Sequence, residues 1–392
     1  MNDREAAAGS IWGYAGRAAI VLLSVRPCLS REAPVVQRPA PAQTAKKPAI
    51  DKAPTQDNLT LRQLADQIGF KIGAAIAPPI FGEPGHQEVL GREFNSAESV
   101  MQFRMVQPQE GRFNFNQVDV EMAYARDHHM TLFGGPLIYK RQSLPPWMDK
   151  WFWFESSLDD VTRTHIRTVM QHGGSIFSAW EVVNEPLTTE NWPWGHVWSR
   201  EEYIVRAFRY ARDASATAVL VMNQSFGRSG VERDVTDQFF NLLREVRAKG
   251  APVDAAGIEM HIEMQTLRPT YLDEFRDFLS RAEQAGVLVY VTEMDAYQGP
   301  PGTVAEPFER QRQIYHDVLA ACLASPACKA YYTWGLTDQL NMYQHRLRDP
   351  HPDAKPLPFD ENYQKKPAYY GMLAALEERV DKVNATARKK AH

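Results

Sequence analysis

From Leu59 onward the chain alternates between two hydrophobic rhythms. Segments such as DDVTRTHIRTVMQHG and VTDQFFNLLREVRAKG repeat apolar residues at three- and four-residue steps, the period of a helix with one buried face. Between such segments lie short, nearly continuous apolar runs such as TLFGGPLI and VLVYVTEMD, which have the length and content of strands covered on both faces. The predicted strands are residues 70–76, 91–95, 131–138, 178–185, 218–223, 254–262, 287–295 and 329–336, and SAESVMQF after the second of them reads as a helical turn. Eight strands, each followed by helical sequence, predict a (β/α)8 barrel over residues 59–385. A doubly wound open sheet is the competing architecture. No GxGxxG or GxxxxGK[ST] turn supports its usual nucleotide-binding form.

Residues 32–58, rich in Pro, Ala, Lys and Gln, have no hydrophobic period and predict a disordered linker. Before them, within residues 1–31, Arg17 precedes the run AAIVLLSV, which reads as an export signal or an anchor but is too short for a convincing membrane span. The expected location is therefore secreted or periplasmic. A net charge of −4 gives no electrostatic case for nucleic acid. A monomer is expected, with no cofactor. Cys322 and Cys328 flank a short loop, CLASPAC, and spacing alone leaves two free thiols or a disulfide open.

Polar residues collect at the C-terminal ends of the predicted strands, where such barrels carry their sites. WEVVNEP puts Asn184 and Glu185 at the end of an apolar strand, and VYVTEMD does the same for Glu293. Burying an unpaired carboxylate is costly, so a single rim glutamate is usually salt-bridged. Two at strand ends, accompanied by an Asn, a His and a Trp, fit glycoside hydrolysis better. In that chemistry one carboxyl group protonates the leaving oxygen and the other attacks the anomeric carbon. Asn184 could then donate to a sugar 2-hydroxyl. His261 reads either as a hydrogen-bonded rim histidine or as the group orienting Glu293, and Trp334 as core packing or a sugar-stacking face. Glu259, His261 and Glu263 alternate along EMHIEMQ and would share one strand face, yet no HExxH is present and no metal is expected.

These motifs resemble those of the glycoside hydrolase family 10 endo-β-1,4-xylanases, from about Phe70 to Leu376. WEVVNEP is similar to the family's W-D-V-V-N-E, which implies Glu185 as acid/base and Asn184 as the 2-hydroxyl partner. VYVTEMD resembles the nucleophile strand, implying Glu293 as nucleophile with Asp295 in support. GIEMH resembles G-hydrophobic-Q-x-H, so His261 matches the histidine that bonds the nucleophile. TWGLTD resembles W-G-x-x-D, which makes Trp334 a wall of the −1 subsite. FDENYQKKPAYYGML resembles the closing segment, and the resemblance of CLASPAC to the family's cysteine loop implies a Cys322–Cys328 disulfide.

Departures from the family pattern fall on the sugar-binding side. E-N-x-M-K-W appears as Glu98-Ser99-Val100-Met101-Gln102-Phe103, and G-H-T-L-V-W-H-x-Q as Gly134 to Gln142. Gly135 stands where a histidine is expected at the −1 sugar, and Tyr139 where a tryptophan is. Lys140 and Gln142 follow, Glu259 replaces the strand-six glutamine, and a second tryptophan after the last strand is replaced near Met342. The resemblance therefore implies a retaining, endo-acting hydrolase with a polysaccharide substrate, xylan first. Substrate contacts are expected from Asn184, His261, Trp334, Glu98, Tyr139, Lys140, Gln142 and Glu259. The alternatives are the same machinery acting on another β-glycan or a bacterial exopolysaccharide, and a non-catalytic carbohydrate-binding barrel.

Overall fold

The computed structural model of the chain describes residues 59–150, 152–188, 193–344 and 350–391. The expected leader and linker lie in residues 1–58, outside the described residues. Among the described residues nine strands form one closed parallel sheet: β1 Lys71–Ala75, β2 Ser96–Val100, β3 Thr131–Gly135, β4 Phe177–Asn184, β5 Val219–Ser225, β6 Ala255–Glu259, β7 His261–Glu263, β8 Leu288–Tyr297 and β9 Cys328–Thr333. The order β6-β5-β4-β3-β2-β1-β9-β8 closes through pairing of β6 with β8, while β7 continues the β6 stave beyond a break at Met260. Helices connect the strands, which makes this a (β/α)8 barrel. Among the described residues no helix is long and apolar enough to cross a membrane.

Period-two alternation sends every second strand residue inward. Phe133, Ala179, Val221, Ala255, Tyr290, Ala330 and Tyr332 pack together as the inner core. The larger core lies between the sheet and the helices, whose apolar stripes cover its outer face. The helix Pro307–Ala324 packs against the closing helix Pro367–Ala391 and, through Cys322, is tied to β9 by a disulfide with Cys328 whose Cα atoms are 5.3 Å apart.

One expected element is displaced. Residues 91–95 belong to the end of a helix, Pro84–Glu93, and the residues following it, whereas SAESV, read as a helical turn, is β2. Its side chains are the reason: Ser96 accepts or donates a 2.9 Å bond with the Tyr332 hydroxyl inside the barrel, so Ser96 and Glu98 share the inward face. An inner face built from a serine and a glutamate carries no hydrophobic strand signal.

Candidate active site

The inward alternation delivers carboxyl groups to the mouth of the barrel. Glu185 follows the last residue of β4, and its positive φ of 45° is an uncommon conformation for a residue with a side chain. Its backbone N–H donates to the Asn223 carbonyl at 2.9 Å. Both carboxylate oxygens receive donors: the Tyr139 hydroxyl at 3.0 Å on Oε1 and the Lys140 ammonium at 2.7 Å on Oε2. Gln142 lies two residues beyond Lys140 in a 3-10 turn, half-buried.

Glu293 sits across the mouth on β8 and is buried. Its Oε2 accepts from His261 Nε2 at 3.0 Å, and its Oε1 from Asn223 Nδ2 at 3.3 Å. His261 Nδ1 donates to Asp295 Oδ2 at 2.8 Å, and the Tyr343 hydroxyl donates to Asp295 Oδ1 at 2.7 Å. Burial alone would lower the His261 pKa. The carboxylates of Asp295 and Glu293 more than offset this and push it up to about 9, so the ring is an imidazolium donating from both nitrogens. Burial pushes the Glu293 carboxyl up, His261 pulls it down, and the charges of Glu185 and Asp295 push it up again.

Asn223 holds the two glutamates to one frame. Its Nδ2 faces Asn184 Oδ1 at 3.1 Å as well as Glu259 and Glu293, three acceptors for two protons, while Thr292 Oγ1 donates to its Oδ1 at 2.8 Å. Gly257 leaves the room this side chain occupies, because a Cβ there would lie 2.3 Å from Asn223 Oδ1. Trp334 is half-buried and stands edge-on to His261 at 6.2 Å between ring centroids. Met342 is buried beside Tyr343, in the cluster against which Trp334 packs.

Glu259 and His261 both reach Glu293's surroundings, and ligand atoms of the three lie within 4.8 Å of one another. Glu263, expected on the same face, instead lies at the end of β7 with its carboxylate 3.9 Å from Arg228 and outside that group. An ion at the remaining three would have to displace a carboxylate from a ring whose two nitrogens are already bonded.

Glu98 and Glu181 complete the inner set, both buried. Burial, then the charge of Glu293, pushes each well above the usual carboxyl range. The same causes act on Glu259, offset in part by Lys140. Tyr139 is likewise pushed up by burial and by Glu185. Asn223, Thr292, Tyr343 and Glu181 were not singled out in the sequence. Polar side chains at the inward positions of strands were the available signal for Asn223 and Glu181, and nothing local marked Tyr343.

Two carboxyl groups at strand ends of one barrel, one on a tyrosine–lysine pair and one on an imidazolium, can divide acid and nucleophilic work. The Glycosyl hydrolase family 10 model matches residues 60–375. An endo-1,4-beta-xylanase B of Thermotoga neapolitana is 29% identical over 332 residues, covering 82% of this chain and 93% of the relative. An endo-1,4-beta-xylanase of Geobacillus stearothermophilus is 28% identical, covering 78% of this chain and 95% of the relative. The crystal structure of xylanase 10B from Thermotoga maritima superposes with a TM-score of 0.74 at 30% identity, covering 83% of this chain and all (100%) of that one. With that match spanning the whole barrel, the chain belongs to glycosyl hydrolase family 10 and is a glycoside hydrolase.

Proposed function

We propose that the protein hydrolyses internal β-1,4 linkages of a polysaccharide with retention of configuration. Glu293 attacks the anomeric carbon, and Glu185 protonates the leaving oxygen and then activates water. The observation that carries this reading is the unequal surroundings of the two groups. Glu293 is aimed by the His261–Asp295–Tyr343 chain, whose imidazolium favours the ionised form against the burial that pushes this carboxyl up. Glu185 lies at the rim, bonded through side chains that can move when a leaving group arrives. Asn184, held by Asn223, supplies a donor for the sugar's 2-hydroxyl. Trp334 gives the sugar a wall. The domain carrying this chemistry spans residues 59–385, with the leader and linker ahead of it.

Xylan is the first substrate to test, since the relatives described above are xylanases and a xylanase 10B from Thermotoga petrophila is solved in complex with xylobiose. A different β-glycan is the second reading, favoured by Glu259, Gly135 and Gln102 where the family pattern has amide, imidazole and ammonium groups. Export, a monomeric state and the expectation of no cofactor belong to the same reading. The test is a reducing-sugar screen over xylan, mixed-linkage glucan, cellulose derivatives and exopolysaccharides with the Glu293→Ala protein as blank. Product release by the wild type alone supports the reading, and release by both ends it. Binding without release by either supports the non-catalytic barrel.

A further inference from the structure

The inner carboxyl groups outnumber the cations that face them. Glu98, Glu181, Glu185, Glu259, Glu293 and Asp295 meet Lys140, His261 and Arg228. Each of those cations is already engaged, Lys140 with Glu185, His261 with Glu293 and Asp295, and Arg228 with Tyr343 and Glu263. Glu98 and Glu181 are each 2% exposed, and Glu98 Oε2 and Glu181 Oε1 have no hydrogen-bond partner among the described residues. Buried polar atoms in native proteins nearly always have one, so two orphans inside the same barrel call for an explanation.

The chain has no means of supplying the missing donor from the strand between them. Glu98 stands on β2 and Glu181 on β4, and both strands pair with β3. At the end of β3 is Gly135, with φ 144°, where a Cβ would lie 2.6 Å from Glu181 Cβ and 2.7 Å from its carbonyl oxygen. A donor side chain at that position is therefore excluded by both backbone conformation and space. A ligand seated in the mouth can bring that donor.

We propose that the ligand is an amino sugar in its ammonium form, carried by a β-glycan and bound by Glu98 and Glu181 beneath the sugar that Glu293 attacks or the one preceding it. This rests on the hydrolytic reading above and names its substrate class. A neutral hydroxyl would satisfy one oxygen and leave the two carboxyls held toward their neutral form. An ammonium brings three donors and one positive charge to two carboxyl groups. Burial now holds both carboxyls toward the neutral form, and an ammonium at hydrogen-bond distance lets them ionise. A bare metal ion answers the charge but not the ligand count. Among the described residues the one group of three ligand side chains is Glu259, His261 and Glu293, which excludes both orphans.

The test compares β-1,4-linked glucosamine pentaose, its N-acetylated form, cellopentaose and xylopentaose at pH 5.5, by kcat/KM and by calorimetric binding. The proteins are the wild type, Glu98→Gln and Glu181→Gln, with folding checked by circular dichroism. The wild type is expected to favour the glucosamine pentaose over cellopentaose by tenfold or more. Each Gln variant is expected to erase most of that preference, read as the ratio of kcat/KM for the glucosamine pentaose to that for cellopentaose in the same variant. Equal or better turnover of the neutral pentaoses, with a ratio the variants do not move, overturns the proposal and leaves the hydrolytic reading intact. If no pentaose is cleaved, the hydrolytic reading falls, and selective binding of the glucosamine pentaose, weakened in the variants, still supports the proposal. Absence of that selectivity overturns it. A saturable calcium or magnesium heat that the variants abolish also overturns it, in favour of a metal site. Should either variant misfold, the wild-type selectivity decides alone.

Discussion

Replacing His261 by Leu removes the cation between two buried carboxylates while keeping an apolar side chain of similar bulk. Two charge-assisted hydrogen bonds go, one of 3.0 Å to Glu293 and one of 2.8 Å to Asp295. Each is worth about 1.5–3 kcal/mol. Asp295 keeps the Tyr343 hydroxyl and Glu293 keeps only a shared amide proton of Asn223. The cheapest response is for Glu293 to take up a proton, since losing an adjacent opposite charge raises a carboxyl pKa by ~1–3 units. In the wild type the acidic limb of kcat/KM reports ionisation of the attacking group. In His261→Leu that limb should move up by ~1–3 pH units, costing about 10- to 1000-fold at pH values below it, with recovery as pH rises. Stability at neutral pH should fall by about 3–5 kcal/mol, the usual result of breaking a buried ion pair from one side. The assay is a kcat/KM profile on an activated aryl glycoside, with urea unfolding in parallel. A folded variant whose acidic limb stays in place, or whose loss is the same at every pH, refutes this account of His261.

Other outcomes follow from the same structure. Glu185→Gln should lower kcat/KM on a natural glycan by about 10²–10⁴, the usual contribution of a positioned acid, while sparing the first step on an aryl glycoside with a good leaving group. Equal losses on both would reassign Glu185. His165, fully buried and stacked 3.5 Å over Phe103, has its pKa lowered by burial from 6.5 to about 3. The unfolded chain therefore binds more protons below pH 6.5, and the stability present above that pH is lost as pH falls toward about 3. At pH 5 this loss amounts to about 2 kcal/mol. His165→Phe should flatten the fall of unfolding free energy between pH 6.5 and 4, and an unchanged slope would refute the assignment. Reducing the Cys322–Cys328 bridge, which closes a loop with a sequence separation of 6, should cost about 2 kcal/mol. The melting temperature would fall by ~3 °C for a domain of this size; thiol titration of the denatured, unreduced protein should find both sulfurs unreactive.

Much of this architecture was legible because parallel strands and their helices carry opposite hydrophobic periods. The strand residues Phe177–Asn184 and Leu288–Tyr297 and the helices after them announce themselves this way. The strand Ser96–Val100 did not, since its inward residues bond Tyr332 and face the mouth instead of filling an apolar core. The glutamates at strand ends were readable because charge at the tip of an apolar run is costly without a purpose. Asn223 was hidden as an amide at the end of the predicted strand 218–223, although it touches Asn184, Glu259 and Glu293. Glu181 was masked between Trp180 and Val182, and its backbone and Cβ meet Gly135 only across the pairing of β3 with β4. Tyr343 bonds Asp295 from 48 residues away in sequence, a contact that no local pattern can encode. Alternation along EMHIEMQ placed Glu263 on the face of His261, but the nearby Arg228, 35 residues earlier in sequence, was beyond the reach of that rule.

The most direct test of the two-carboxylate mechanism is covalent trapping. The protein would be incubated with the 2-deoxy-2-fluoro, dinitrophenyl-activated form of the disaccharide it cleaves fastest, then digested and mapped by mass spectrometry. The account predicts a single glycosyl adduct on the peptide bearing Glu293, with inactivation rising in step with labelling. An adduct on any other residue, or steady turnover with no adduct in a protein that still cleaves its glycan, would contradict it.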